Sequence, residues 1–221
     1  VIDMDPQANA TGWLAPRQRD RTMNDVLYHS GVDGALDAAI VESAWPGVWI
    51  ASAEEELASR EADRVAGVDL RLKRVLRTSN LERFDTILID SPPSLGPLMV
   101  NALCAAELAV IVTDSERGGL DGVARVLNAV AVVAEDSNPA LRIGGIVMNM
   151  YDARVAEHDA RWKELQELYG GQVLGKLPQR AAVATAYGAS VPPRAVSGGS
   201  SFVLALATVV DRLLAPMELV G

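Results

Sequence analysis

Short apolar runs alternate along the chain with longer segments whose apolar residues keep helical spacing. Thr86, Ile87, Leu88 and Ile89 form a β-branched run that suits a strand buried on both faces of a parallel sheet. Residues 48–51, 108–113, 142–148 and 173–177 read as further strands, and Val1 and Ile2 as the last residues of another. Helices are predicted over 23–28, with Thr22 or Asn24 as cap, and from Glu54, where three acidic residues favour the positive end of the helix dipole. Another starts at a cap on Asp69, after a stop at Gly67, and runs through Leu72, Val75 and Leu76; a fourth covers 98–106. A long helix carries Leu120, Val123, Ala124, Leu127, Val130, Ala131 and Ala134 on one face, and 155–169 turns Trp162, Leu165 and Leu168 inward. The last, 201–214, places Phe202, Leu206, Val209, Val210 and Leu213 on a core-facing side, with Pro216 closing it. Strands alternating with helices predict an α/β fold: a doubly wound, mostly parallel sheet with helices on both faces, as one domain over 1–221.

Composition narrows the function classes. At 221 residues and 49% hydrophobic content a real core is expected. The single Cys104 excludes an intramolecular disulfide and any multi-cysteine metal site, which fits a reducing cytoplasm, and its apolar neighbours suggest burial in a helix. His29 and His158 have no second ligand nearby in sequence, and His158 reads as a surface residue. Asn101 and Glu107 interrupt one apolar run, Asp211 and Arg212 another, so no membrane span is expected. The first residue is Val rather than Met, with no signal-peptide pattern, and a fragment is the expectation. Net charge is −9, which excludes a uniformly basic nucleic-acid-coating surface. From Gln172 onward four cations face two anions, leaving that part at +2 and the rest at −11, so a local basic patch is allowed.

The candidate chemistry is carboxylate chemistry. The 86–89 run stops at Asp90, and Pro92 and Pro93 then end the strand. In open α/β sheets ligands sit beyond the carboxyl ends of strands, and a carboxylate there suits Mg²⁺, a hard cation that takes oxygen ligands. Asp3 and Asp5 are two apart, so an extended chain aims both at one site; one carboxylate then organises a metal shell while the other orients an attacking water. Helix capping at Asp90 and a solvated acidic strand end at Asp3 and Asp5 are the competing readings. Asn149, placed at a strand end, carries both a donor and an acceptor for a nucleobase edge, and equally suits capping the turn into Tyr151 and Asp152. Arg17, Arg19 and Arg21 read as a solvated loop.

VIDMDPQANATGWL resembles the stretch after the first helix in ParA-type partition ATPases, part of the deviant Walker P-loop group that includes the MinD regulators. FDTILIDSPPSLGPLMVNAL resembles their second acidic motif, and WIASAEEELASRE, DSERGGLDGV, VMNMYDAR and LPQR follow in the same order. The resemblance implies that Asp5 positions the hydrolytic water, that Asp3 is its partner near the metal, and that Asp90 holds Mg²⁺ through water. It implies that Asn149, where many members have Thr, contacts adenine, and that Pro178 and Gln179 lie along the base. It further implies ATP bound between the subunits of a homodimer, DNA binding without sequence preference, hydrolysis stimulated by a ParB-type centromere-binding protein, and a cytoplasmic, nucleoid-associated location. Arg180, Arg194 and Arg212 are the candidates for phosphate contacts on DNA, which should be salt-dependent.

One departure bears on all of this. The family's Lys-Gly-Gly-x-Gly-Lys-Thr phosphate loop precedes the Asp-x-Asp-Pro-Gln stretch, and no such segment occurs in these residues. Backbone amides and a Lys of that loop supply most of the binding energy for the phosphates. The expectation is an N-terminally truncated ATPase whose full-length form hydrolyses ATP; the alternatives are a nucleotide-independent interaction module and a MinD-like membrane switch, the latter disfavoured by the non-basic end at 216–221.

Overall fold

The computed structural model describes residues 1–116 and 118–215. Strands and helices alternate as the sequence pattern requires, and they fall into two compact units. The first holds Val1–Glu107 and Val133–Leu141, the second Leu108–Val132 and the described residues from Arg142 onward.

In the first unit, β1 (Ile2–Asp3), α1 (Asn9–Leu14), α2 (Met23–Tyr28), β2 (Ile40–Glu42), β3 (Trp49–Ala51), α3 (Arg71–Arg77), β4 (Ile89–Asp90) and α4 (Pro97–Ala105) follow one another. The sheet order is β2-β3-β1-β4, with β1 parallel to both neighbours and β2 antiparallel to β3. Ile2, Met4, Ala51 and Ala53 point to one face, where they pack with Met23, Leu27, Leu57, Leu72 and Leu98. Asp3, one residue out of phase with Ile2 and Met4, therefore points to the other face. The start of α2 is fixed by a capping box: the Thr22 side chain accepts from the Asp25 amide, and Asp25 accepts in return from the Thr22 amide. The acidic triplet at 54–56 leads into a 3₁₀ helix, Glu55–Ala62, rather than an α-helix, and Asp69 lies in a 3₁₀ turn before α3 instead of capping it. Cys104 is buried in α4 as expected.

The second unit contains β5 (Leu108–Thr113), most of α5 (Gly119–Asp136), β6 (Arg142–Tyr151), α6 (Ala156–Tyr169), β7 (Val173–Pro178), α7 (Ala181–Gly188) and α8 (Ser200–Leu214). Its three strands are parallel in the order β5-β6-β7. Alternation along β6 sorts the helices: Ile146 and Met148 pack with Val123 and Leu165 of α5 and α6, whereas Val147 packs with Phe202, Val209 and Leu213 of α8. Mostly parallel strands with helices on both faces are thus the observed fold class.

Several expectations are corrected. Thr86–Ile89 is not a strand buried on both faces: the ladder is assigned only from Ile89, and Ile87 and Leu88 are 39% and 62% exposed. Among the described residues β4 has a hydrogen-bonded neighbour along one edge only. In α8, Leu206 and Val210 face outward while Phe202, Val209 and Leu213 face the core. Both apolar sets obey helical spacing, so periodicity alone did not separate them. Leu168 in α6 is exposed, as are Ala124 and Ala131 in α5. His158 is half-buried, and its Nδ1 accepts a hydrogen bond from the Asp152 amide. Pro216 lies outside the described residues.

Gly199, at the start of α8, has no room for a side chain, since a Cβ there would sit 1.8 Å from the Pro193 carbonyl oxygen. Gly199→Ala should therefore destabilise the second unit by roughly 1–3 kcal/mol or more through forced backbone movement. Urea denaturation checks this, and an unchanged midpoint would contradict the packing.

Candidate functional site

The acidic site is built by strand register. β1 and β4 pair so that Ile2 faces Ile89 and Asp3 faces Asp90, and the Met4 amide donates to the Asp90 carbonyl at 2.7 Å. Asp3 and Asp90 are thus held side by side at the carboxyl ends of adjacent parallel strands, where a ligand crevice forms in such sheets.

Asp3 is fully buried, and its carboxylate accepts three hydrogen bonds from protein donors. Oδ1 accepts from the Asp5 amide at 3.1 Å; Oδ2 accepts from the Thr11 amide at 2.8 Å and the Thr11 hydroxyl at 2.7 Å. The Thr11 Oγ1 in turn accepts from the Ala53 amide beyond β3 at 2.9 Å. Asp3 therefore ties the β1–α1 turn to the start of α1 and, through Thr11, to the neighbouring strand. Sequence reasoning missed Thr11, whose contact lies eight residues downstream across a turn. That turn uses a left-handed residue, Ala8 at φ 53°, whose amide donates to the Asp5 carbonyl. Burial pushes the Asp3 carboxyl up, and its bonds from Thr11 and Asp5 pull it down, the first effect being the larger.

Asp5 is half-buried, with Oδ1 accepting only from the Gln7 amide at 2.9 Å. The Asp90 side chain makes no hydrogen bond or ion pair among the described residues, although the residue is exposed. Its carboxyl is pushed up to about 6, first by partial desolvation and then by the charges of Asp3 and Asp5. Three carboxylates without a compensating cation make a region of negative potential. Ser52, just past β3, adds a fully buried hydroxyl with no partner among the described residues. This donor set, all oxygen and one carboxylate unsatisfied, fits Mg²⁺ held chiefly by Asp90 and through water, because Mg²⁺ keeps most of its hydration. Among the described residues no three His, Cys, Asp or Glu side chains are grouped closely enough to hold a metal ion by themselves.

The second unit carries the remaining candidates. Asn149 lies within β6, which runs on to Tyr151, rather than at its end. Its Oδ1 accepts from the Met150 amide at 2.9 Å, and its carbonyl accepts from the Ser115 hydroxyl. Pro178 pairs with Tyr151 in the β6–β7 ladder, and the exposed Gln179 donates its amide to the Tyr151 carbonyl at 2.9 Å. Asn149, Pro178 and Gln179 are therefore brought together at one end of two adjacent strands. Arg180, Arg194 and Arg212 are exposed, but Arg180 bonds Ser201 and the Gln179 carbonyl, and Arg212 bonds the Leu174 carbonyl. Arg194 alone of the three is without such a bond among the described residues.

An acid-ended parallel sheet of this kind defines the class of α/β proteins that take ligands at strand ends. The profile of the AAA domain family matches residues 1–143. The chain is 33% identical over 173 residues to the chromosome-partitioning ATPase Soj of Thermus thermophilus, covering 78% of this chain and 65% of that protein. It is 35% identical over 157 residues to the sporulation initiation inhibitor Soj of Bacillus subtilis, covering 70% and 61%. A putative plasmid partition protein of Borrelia burgdorferi bound to AMPPNP superposes with a TM-score of 0.82 at 18% identity, covering 97% of this chain and 85% of that one. Cobyrinic acid a,c-diamide synthase of Mycobacterium smegmatis, with ADP and magnesium, superposes with a TM-score of 0.70 at 30% identity, covering 84% and 76%. The chain belongs to the AAA-domain family, and the curated relatives it resembles are Soj and ParA partition proteins. It spans 61–66% of the length of the curated Soj and ParA relatives it matches. No helix among the described residues is long and apolar enough to cross a membrane.

Two predictions follow from this geometry. Asp90 should titrate near pH 6 in carboxyl NMR. Its folded pKa lies above its unfolded value, so its contribution to stability is complete below about pH 4 and is lost as pH rises through about 6. Titration near pH 4 would contradict the crowding of the three acids. Thr11→Val should cost roughly 1–3 kcal/mol in urea denaturation by leaving Asp3 short of a donor, while Thr11→Ser recovers most of it. Equal loss in both variants would show that the hydroxyl is not what matters.

Proposed function

We propose that the full-length polypeptide is a Mg²⁺-dependent ATPase of the DNA-partition type, and the observation that carries this is the register that sets Asp3 beside Asp90, with Asp5 hydrogen-bonded to Asp3. Asp90, poor in protein partners and crowded by negative charge, holds the water shell of the cation. Mg²⁺ when bound neutralises charge on the phosphates. Asp5 keeps an oxygen free to accept a hydrogen bond from the attacking water and so orients it. Asp3 touches neither; it fixes where Asp5 and the β1–α1 turn stand. Asn149 donates to a ring nitrogen of the adenine, and Pro178 and Gln179 flank the base. The phosphate loop is not among these 221 residues, so the proposal concerns the full-length protein.

Within that reading the ATP-bound protein is a homodimer that binds DNA without sequence preference and is stimulated by a ParB-type centromere-binding protein, in the cytoplasm at the nucleoid. The relatives named as chromosome-partitioning and plasmid partition proteins support this. Arg194 is the best placed of the three candidate DNA contacts, because Arg180 and Arg212 already serve the fold. A second reading is an interaction module that works without nucleotide.

Asp5→Ala in the full-length protein should leave Mg²⁺–ATP binding within about twofold while lowering turnover by at least about 100-fold, the scale of a lost acid–base or orienting group. Calorimetry and phosphate release measure the two separately. Wild-type turnover in the variant would refute the role of Asp5, and absence of any ATP binding by the unmutated protein would favour the module.

A further inference from the structure

The β2–β3 hairpin of the first unit lies at the amino end of β3, the opposite end of the parallel strands from Asp3 and Asp90. Its turn holds a cavity of about 150 Å³ whose lining includes Glu42, Trp45, Pro46 and Trp49. A cavity of this size takes a molecule as large as benzene. Its walls are fixed. Ser43 donates its hydroxyl to the Trp45 carbonyl at 3.2 Å and accepts from the Trp45 amide at 3.0 Å. The Ser43 amide donates to the Val48 carbonyl and the Val48 amide to the Trp45 carbonyl, each at 3.0 Å. Trp13 meets the Trp45 ring edge to face at 5.5 Å, and Phe84 braces Trp49 at 6.2 Å. Glu42 and Trp49 are directly opposed in the ladder, so their side chains leave the same face of the sheet.

Charge supplies the second observation. The Glu42 side chain is exposed and makes no hydrogen bond or ion pair among the described residues. The Trp49 ring already receives a cation: the Arg83 guanidinium lies 4.6 Å from its centroid and 4.7 Å from that of Phe84, and Arg83 is not one of the residues lining the cavity. Indole rings attract cations through their negative faces, and most readily those that give up little hydration, such as a quaternary ammonium or a guanidinium. We propose that this cavity binds an organic cation, a methylated ammonium or a guanidinium group, with Trp45 and Trp49 as its aromatic walls and Glu42 as its counter-ion. The group belongs either to a free small molecule or to an arginine side chain of a protein segment, and the chemistry of recognition is the same for both.

Titration of the isotope-labelled full-length protein, followed at the indole N–H signals, tests this. Choline should shift the Trp45 and Trp49 signals saturably and leave Trp162 unmoved, whereas its uncharged isostere, with a tert-butyl group in place of the trimethylammonium, should shift neither. A capped arginine amide is the second probe: tighter binding than choline assigns the site to a protein side chain, and weaker binding assigns it to a free small molecule. Glu42→Gln should weaken the better probe by roughly two- to fivefold, the scale of one exposed charge pair. Trp45→Leu should weaken it by at least about twofold, the scale of one cation–π contact, and Trp45→Phe should recover part of the loss. Should Trp45→Leu fail to fold, Glu42→Gln still decides, because the fold makes no use of that carboxylate. Silence of both indoles toward both cations, shifts that never saturate, an equal response to the uncharged isostere, or full affinity in Glu42→Gln would overturn the proposal.

Discussion

The acceptance of three hydrogen bonds by the buried Asp3 carboxylate is the constraint on which the acidic site depends. A buried carboxylate without donors would be too costly to keep charged, and this one is matched almost completely by the Asp5 amide and the two donors of Thr11. The consequence is geometric. The turn from β1 to α1 has one arrangement, so Asp5 is delivered to the strand end at a fixed place, and the Ala53 bond to Thr11 extends the same fixation to the next strand. Asp3 is the group that fixes this turn, through the three bonds its carboxylate accepts.

Parallel pairing adds the second half of the site. Register in a sheet is quantised, and a slip of one residue would send Asp3 and Asp90 to opposite faces. With Asp3 facing Asp90, the field of one acid raises the proton affinity of the other. The two acids therefore differ electrostatically as much as geometrically: Asp3 is matched by donors, and Asp90 is not. Function at such a site arises because the fold leaves one charge uncompensated, a cost tolerated where a ligand removes it.

Much of this was legible in the sequence. The run ending at Asp90 led to the strand end that pairs with Asp3, although only Ile89 and Asp90 are strand, and Asp5 lies past β1 in the turn rather than on the extended chain that its spacing from Asp3 suggested. The distinct roles of Asp3 and Asp5 were not legible, since they depend on Thr11, which a turn brings back from eight residues away. Hydrophobicity misled where an apolar residue lies uncovered: Ile87, Leu88, Leu206 and Val210 read as core, and exposure depends on which elements are present to cover them. The helix Ala181–Gly188 was missed because its Ala-rich sequence has almost no amphipathic contrast. Asn149 was placed at a strand end because it suits capping a turn into Tyr151 and Asp152, whereas β6 runs on to Tyr151 with an irregular register.

The account stands on the claim that the acids at the ends of β1 and β4 form one cation site centred on Asp90. Titrating the isotope-labelled full-length protein with Mn²⁺ in the presence of ADP, and following paramagnetic broadening residue by residue, tests it most directly. Broadening should begin at Asp90 and Asp5 and their immediate neighbours, and Asp90→Asn should shift its onset to at least about tenfold higher Mn²⁺, as loss of a charged ligand requires. Broadening centred elsewhere, or an onset unmoved by Asp90→Asn, would contradict the account.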